Sequence, residues 1–176
     1  IEAVTAYSVF INQGILIQPT SIMKIEDRYG NVIYENKAVR KEVLSPTTSF
    51  IMTKLLQNVI DRGTGGGARW RYNFYDTAAG KTGTTNDYSD AWFMGFSPHL
   101  IAGIWVGLGD FRIKLGPGQT GAHTALPFWA SFMKMASDTM QYDKKAEFIK
   151  PNGIVERQVC KESFMLANPS CPETFI

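Results

Sequence analysis

The chain has 176 residues, 44% of them hydrophobic and 19% charged, which is the composition of a globular domain or a large piece of one. A formal charge of +2, with Lys and Arg scattered along the chain, excludes a nucleic-acid surface or a polybasic membrane patch. The longest apolar run, residues 100–108 with two glycines in it, falls well short of the roughly 18 residues of a membrane span.

The chain opens on Ile1-Glu2-Ala3, with no initiator Met, charged leader or apolar signal region, so the expectation is that any targeting segment lies upstream. Ala3, Ala6, Tyr7 and Phe10 recur at helical spacing and Gly14 supplies a stop, which predicts a short amphipathic helix over 3–13. Residues 21–26 and 32–35 are rich in Ile, Val and Tyr and flank Asp27-Arg28-Tyr29-Gly30-Asn31, a peripheral hairpin with a Gly-containing turn.

Ser45-Pro46 is a helix start, because the serine caps free amides and proline fits the first helical position; Ile51, Leu55 and Val59 then define its apolar face. Gly63 ends that helix. The loop Gly63-Thr64-Gly65-Gly66-Gly67 is longer than termination requires, so it either borders a site or is a slack connection.

From residue 77 the pattern changes to strands over 77–85, 91–96 and 100–107, separated by Asn86-Asp87 and Ser97-Pro98-His99 as turn signals. The second and third runs are apolar without alternation. Both faces of this three-stranded meander are therefore expected to be covered by helices, giving an α/β fold with an antiparallel sheet. The cover on one face is a helix over 124–140 with Trp129, Phe132, Met133, Ala136 and Met140 on one stripe and Pro127 in its first turn. After Gln141 the periodicity fades, so residues 1–141 read as one domain portion and residues 142–176 as a C-terminal tail, cut at its end.

Gly80-Lys81-Thr82 invites a phosphate-loop reading, but that motif needs a glycine five positions before Gly80, where Tyr75 stands, and a helix after the loop, where a turn and strands follow. Lys-Thr-Gly on a strand has another use, in serine acyl enzymes that process penicillins and D-alanyl-D-alanine peptides. A substrate laid along such an edge is held by the strand's backbone groups. Lys81 places a positive charge beside the reacting carbonyl, Thr82 and Thr84 present hydroxyls on one face, and Gly83 leaves room for close approach.

The surroundings of this triplet resemble the bifunctional class A penicillin-binding proteins, which join a glycosyltransferase to a transpeptidase. The likeness runs through Ala79-Gly80-Lys81-Thr82-Gly83-Thr84-Thr85, Asp87-Tyr88, Asp90-Ala91-Trp92-Phe93-Met94-Gly95-Phe96 and Gly103-Ile104-Trp105-Val106-Gly107. It extends to Ala6-Tyr7, Phe10, Asn12 and Gly14, to Gly63-Thr64-Gly65, to Thr120-Gly121 with Ala125, Pro127, Trp129, Phe132 and Met133, and to Cys171-Pro172. One departure stands out: the family places an acidic residue soon after the Trp-Val-Gly strand, whereas Leu108-Gly109 intervene here before Asp110.

The resemblance implies a penicillin-binding transpeptidase or β-lactamase-like fold, present as a C-terminal portion, and cross-linking of peptidoglycan stem peptides that end in D-Ala-D-Ala. It implies β-lactam binding, no cofactor and no metal. It also implies an N-terminal remainder that carries the membrane anchor, and action on the outer face of the bacterial cytoplasmic membrane. Lys81 is the implied catalytic residue, and Thr82, Gly83, Thr84 and Thr85 are the implied substrate-binding residues, with the Thr84 amide completing an oxyanion hole. A serine nucleophile in Ser-x-x-Lys and a second serine in Ser-x-Asn are implied upstream.

No Ser-x-Asn occurs in the sequence. Ser-x-x-Lys occurs at Ser21 and Ser131, but Ser21 sits on the hairpin, where Lys24 projects to the opposite face, and Ser131 follows Lys81 in the last packing helix. The implied nucleophile is therefore expected before Ile1, and this chain alone is expected to be inactive. A non-catalytic binding module and a D,D-carboxypeptidase or β-lactamase-type hydrolase remain alternatives.

The residues outside the motif read more plainly. His99 and His123 lack partners at ligand spacing. Trp70 and Tyr72, interleaved with Arg69 and Arg71, are a surface loop or a polymer contact, and Asp90 caps a turn or orients Lys81. Cys160 and Cys171 lack zinc-site spacing and are either two thiols or a disulfide.

Overall fold

The chain enters through α1, Glu2–Ile11, which buries Val9 and ends where Gly14 takes φ 93°, a left-handed conformation open to glycine without steric cost. Strand β1, Ile15–Ile17, follows, and then β2, Lys24–Glu26, and β3, Val32–Glu35, form the expected hairpin. The Asp27 carboxylate builds the hairpin turn by accepting from the amides of Tyr29 at 2.8 Å and Asn31 at 2.9 Å and from the Asn31 side chain at 2.8 Å. Every residue of β2 and β3 is exposed, and β4, Arg40–Glu42, closes the excursion by pairing with β1. This is a computed structural model, and it describes residues 1–110, 112–163, 165–169, 171 and, by backbone, 174–175.

Helix α2, Pro46–Asp61, starts as its sequence dictates: the Ser45 hydroxyl accepts from the Thr48 amide at 3.1 Å and Pro46 holds the first position. Its buried face is not the one the aliphatic residues suggest. Ile51 and Leu55 are 52% and 55% exposed, while Ser49, Phe50, Thr53, Leu56 and Ile60 face inward. The small polar residues tolerate this because their hydroxyls are satisfied, Ser49 donating to the Phe10 carbonyl at 2.9 Å and Thr53 to the Ser49 carbonyl at 2.9 Å. Helix α1 can thus approach α2 closely across a narrow seam.

A short helix α3, Gly67–Trp70, leads into the meander of β5, Ala79–Thr84, β6, Asp90–Phe96, and β7, Ile101–Gly107, antiparallel in the order β5-β6-β7. Side chains alternate across the sheet. On one face Phe93 packs with Ile60, Ala68, Phe74, Leu126 and Trp129; on the other, Phe96 and Ala79 pack with Leu56, Tyr7 and Phe10. Each large apolar side chain buried in this way contributes about 1.5–3 kcal/mol.

The covering helix α4, Leu126–Met140, is preceded by a π-type turn at Gly121–Ala125, so the regular helix begins two residues later than the 124–140 expectation. Its inward stripe is Leu126, Trp129, Ala130, Met133 and Ser137, a 3-4 repeat; Phe132 and Met140, expected on that stripe, are 44% and 62% exposed. The stripe is rotated because Trp129 lies flat on the sheet at Gly95, where any Cβ would stand 2.5 Å from the indole, and its Nε1–H donates to the Gly95 carbonyl at 3.2 Å. The Ser137 hydroxyl, bonded to the Asp76 carboxylate, then fixes the far end.

Beyond Gln141 the chain returns to the sheet. Tyr142 stacks on His99 with ring centroids 4.9 Å apart, and Phe148 meets Phe96 edge-on at 5.5 Å. Two short strands, β8, Val159–Cys160, and β9, Thr174–Phe175, pair near the C-terminus. The structure thus has the antiparallel sheet between helices that the sequence implies. Among the described residues no helix is long and apolar enough to cross a membrane.

Candidate acyl-transfer site

Strand β5 lies at the sheet edge, and among the described residues no strand pairs with its outer side. An antiparallel edge strand turns the backbone groups of alternate residues outward, ready to pair with an extended ligand. Register puts Lys81 and Gly83 on the face of Met94 and Trp92, and Thr82 and Thr84 on the face of Phe93 and Ala91. The sequence therefore places the two hydroxyls together, as expected.

Their environments differ. The Lys81 Nζ curls over the edge and donates to the Thr82 carbonyl at 3.0 Å and to Thr82 Oγ1 at 3.2 Å. Thr82 Oγ1 lies 2.9 Å from Thr64 Oγ1, so the glycine-rich loop after α2 borders the edge. Thr84 Oγ1 accepts from the Gly121 amide at 2.9 Å. Gly121 sits directly on the β5–β6 backbone, where a Cβ would come within 2.3 Å of the Trp92 carbonyl and 2.6 Å of the Gly83 carbonyl. Thr64 and Gly121 thus hold the two threonine hydroxyls from opposite ends.

Thr85 is used differently from its neighbours. Its hydroxyl accepts from the amides of Ser89 at 3.0 Å and Asp90 at 2.9 Å and lies 3.0 Å from Ser89 Oγ, which closes the β5–β6 turn. Asp90 faces the turn and the sheet and not Lys81: its Oδ2 accepts from the Ser89 hydroxyl at 3.2 Å within the turn, and its Oδ1 accepts from the Trp105 indole at 2.7 Å. Trp105 stands opposite Trp92 with ring centroids 6.2 Å apart, and both indoles remain partly exposed on the Gly83 face. Downstream, Asp110 binds Arg112 through both carboxylate oxygens, and the Leu115 amide donates to the Tyr88 carbonyl at 2.8 Å, so the loop after β7 leans on the β5–β6 turn.

The remaining sequence candidates are separated from this edge. Arg69 turns inward, donating to Asp61 Oδ1 at 2.7 Å and to the carbonyls of Phe74 and Asp76, while Trp70 is 72% exposed on the wall of a cleft shared with Thr64, Tyr72 and His123. His123 Nδ1 is 3.2 Å from Thr120 Oγ1. Ser21 is exposed ahead of β2, and Ser131 is exposed on the outer side of α4. Among the described residues no group of three His, Cys, Asp or Glu side chains is placed to hold a metal ion.

A lysine and two braced threonines on the open edge of a helix-covered antiparallel sheet define a class, and sequence comparison agrees with it. Residues 1–104 match the penicillin-binding protein transpeptidase domain, and the chain belongs to that family. It is 37% identical to penicillin-binding protein 1A of Clostridium tetani over 97% of its own length and 36% identical to penicillin-binding protein 1A of Aquifex aeolicus over 97%. The crystal structure of penicillin-binding protein 1A from Haemophilus influenzae superposes on 99% of the chain with a TM-score of 0.86 at 27% identity. The chain spans only 21% and 23% of the two curated relatives and 31% of the solved one.

Proposed function

We propose that this chain forms the Lys-Thr-Gly wall of a peptidoglycan D,D-transpeptidase that works through a serine acyl-enzyme and is acylated by β-lactams. One observation carries the reading: an ammonium and two pre-positioned hydroxyls converge on a strand edge that no other strand pairs with among the described residues. In this reading a stem peptide ending in D-Ala-D-Ala lies along β5, its terminal carboxylate receives hydrogen bonds from Thr82 and Thr84, and Gly83 leaves space for its backbone. The Thr84 amide donates to the oxyanion of the tetrahedral intermediate, and Lys81 stabilises charge and passes protons at the reacting centre. Thr85 shapes the site through the turn it closes.

The nucleophilic serine and the Ser-x-Asn serine would come from a part of the transpeptidase outside these residues, since neither Ser21 nor Ser131 approaches the edge. The serine Oγ attacks the D-Ala carbonyl, D-Ala leaves with a proton on its amine, and an amine of a neighbouring stem peptide then displaces the serine. Such chemistry belongs on the extracytoplasmic side of the membrane. A glycosyltransferase and a membrane anchor would lie in the N-terminal remainder, with residues 1–141 as transpeptidase and 142–176 as a C-terminal extension.

Fluorescent penicillin tests the reading. The whole protein is expected to label covalently on a serine outside this chain, and the 176-residue chain alone is expected to remain unlabelled; labelling at Ser21 or Ser131 would overturn the assignment. Incubating the whole protein with a D-Ala-D-Ala peptide, with and without an acceptor amine, separates transfer from hydrolysis.

A further inference from the structure

Strand β8 is flanked on both sides. On one side Val159 bridges Leu166 and the Cys160 amide donates to the Met165 carbonyl at 2.9 Å; on the other, Val159 and Cys160 pair with Phe175 and Thr174 of β9. Cys171 belongs to the stretch of chain that joins these two flanks. A turn sets it in place: its amide donates to the Asn168 carbonyl at 3.0 Å, and its sulfur accepts from the Asn168 amide at 3.3 Å. The Ala167 amide donates to the Gln158 carbonyl at 2.9 Å, so this segment runs beside β8 and brings the Cys171 side chain back to that of Cys160.

The two sulfurs differ in access and acidity. Cys160 is 4% exposed, whereas Cys171 is half-buried. Hydrogen bonds from the Ser163 backbone, then from Cys171 and the Glu162 backbone, lower the Cys160 thiol to about 7. Cys171 moves the opposite way, raised by its neighbouring sulfur and by desolvation against the lowering effect of the Asn168 backbone. Such a pair has one ready thiolate and one sulfur that solvent reaches.

We infer that Cys160 and Cys171 are an intramolecular disulfide-forming pair that covalently closes the loop of residues 161–170 when the protein meets a small-molecule disulfide such as oxidised glutathione. Two exchange steps balance the reaction. Access decides the first step: the Cys171 sulfur loses its proton to solvent and, in that minor but strongly nucleophilic thiolate form, attacks one sulfur of oxidised glutathione, forms a mixed disulfide and releases one glutathione thiolate. The Cys160 thiolate then attacks the Cys171 Sγ, breaks the mixed bond and releases the second glutathione. The two cysteines lose two protons and two electrons, and one glutathione disulfide becomes two thiols. The proposal is independent of the transpeptidase reading.

Trypsin cuts after Lys161 and so separates the two cysteines, which makes peptide mapping decisive. After incubation with oxidised glutathione, alkylation and non-reducing digestion, the peptide Gln158–Lys161 is expected to be joined to the peptide beginning at Glu162. The linked species should vanish on reduction, and both cysteines should become alkylated. Cys160→Ser should stop at a glutathione adduct on Cys171, whereas Cys171→Ser should leave the buried Cys160 largely without an adduct. Two separately alkylated cysteines after oxidation, two separate glutathione adducts in the unsubstituted protein, or a link found only between two chains would each overturn the inference.

Discussion

The hydroxyls of Thr64 and Thr82 lie 2.9 Å apart, across eighteen residues of sequence, and Lys81 Nζ donates to the same Thr82 oxygen at 3.2 Å. A hydroxyl has one proton and two lone pairs. Lys81 fills one lone pair of Thr82, and in the arrangement where Thr64 donates across the other contact the single Thr82 proton is left for a ligand on β5. In the proposed site this contact makes Thr64 a positioning residue for Thr82.

Removing that brace should be felt in recognition. In the whole protein, Thr64→Ala is expected to slow β-lactam acylation by about fivefold to tenfold, the equivalent of one hydrogen bond of about 1 kcal/mol. Thr64→Ser should recover most of the loss and Thr64→Val should not. Saturation kinetics of acylation are the check: equal rates for Thr64→Ala and the unsubstituted protein would remove Thr64 from the site.

Lys81 is exposed and, among the described residues, its ammonium is bonded to Thr82 on its own strand, so its replacement should leave folding nearly untouched. Lys81→Ala is expected to change the unfolding free energy by less than about 0.5 kcal/mol. Acylation of the whole protein should fall by about 10²–10³-fold, the range for losing a preorganised electrostatic group. Denaturant unfolding and penicillin labelling, run in parallel, distinguish this from a structural role.

Gly121 offers the converse case. A Cβ 2.3 Å from the Trp92 carbonyl forces the π-type turn off the sheet, so Gly121→Ala should destabilise the chain by about 1–3 kcal/mol. The same shift withdraws the amide that Thr84 Oγ1 accepts from. A lowered denaturant midpoint with slower acylation is expected; an unchanged midpoint would mean that the close approach is relieved cheaply.

The hairpin turn supplies a pH dependence. Hydrogen bonds from the Asn31 side chain, then from the Asn31 backbone, hold the Asp27 carboxyl below its ordinary value. Its folded pKa is the lower one, so its contribution is present above the unfolded carboxyl's pKa and lost as pH falls through the folded value. In NMR titrations the Tyr29 and Asn31 amides should move together at a midpoint below that of a free aspartate, and Asp27→Ala should abolish the transition.

Much of this fold was legible because the meander states itself plainly. The apolar runs around Phe93 and Ile104 are bounded by turn residues, and the Ser45-Pro46 start of α2 follows from local chemistry alone. The Lys-Thr-Gly strand and its shared threonine face were equally readable, because alternation is a local property of extended chain. The orientation of α2 was not. Apolar identity pointed to Ile51 and Leu55, but the buried side was chosen by the close approach of α1, which suits Ser49 and Thr53. The braces at Thr64 and Gly121 were also hidden as contacts, because each meets β5 through a connection whose path depends on the packed sheet. Their glycines gave the one usable signal.

The paired indoles of Trp92 and Trp105 give the molecule a built-in optical gauge. Trp92 is the cross-strand partner of Gly83, and Asp90 locks the Trp105 ring beside it. Two indole transition dipoles at this spacing couple, so the circular dichroism of the chain should carry an exciton contribution whose sign and strength follow the mutual tilt of the rings. A ligand that adds a strand to β5 and twists the sheet would change that tilt, making occupancy of the edge observable without a label.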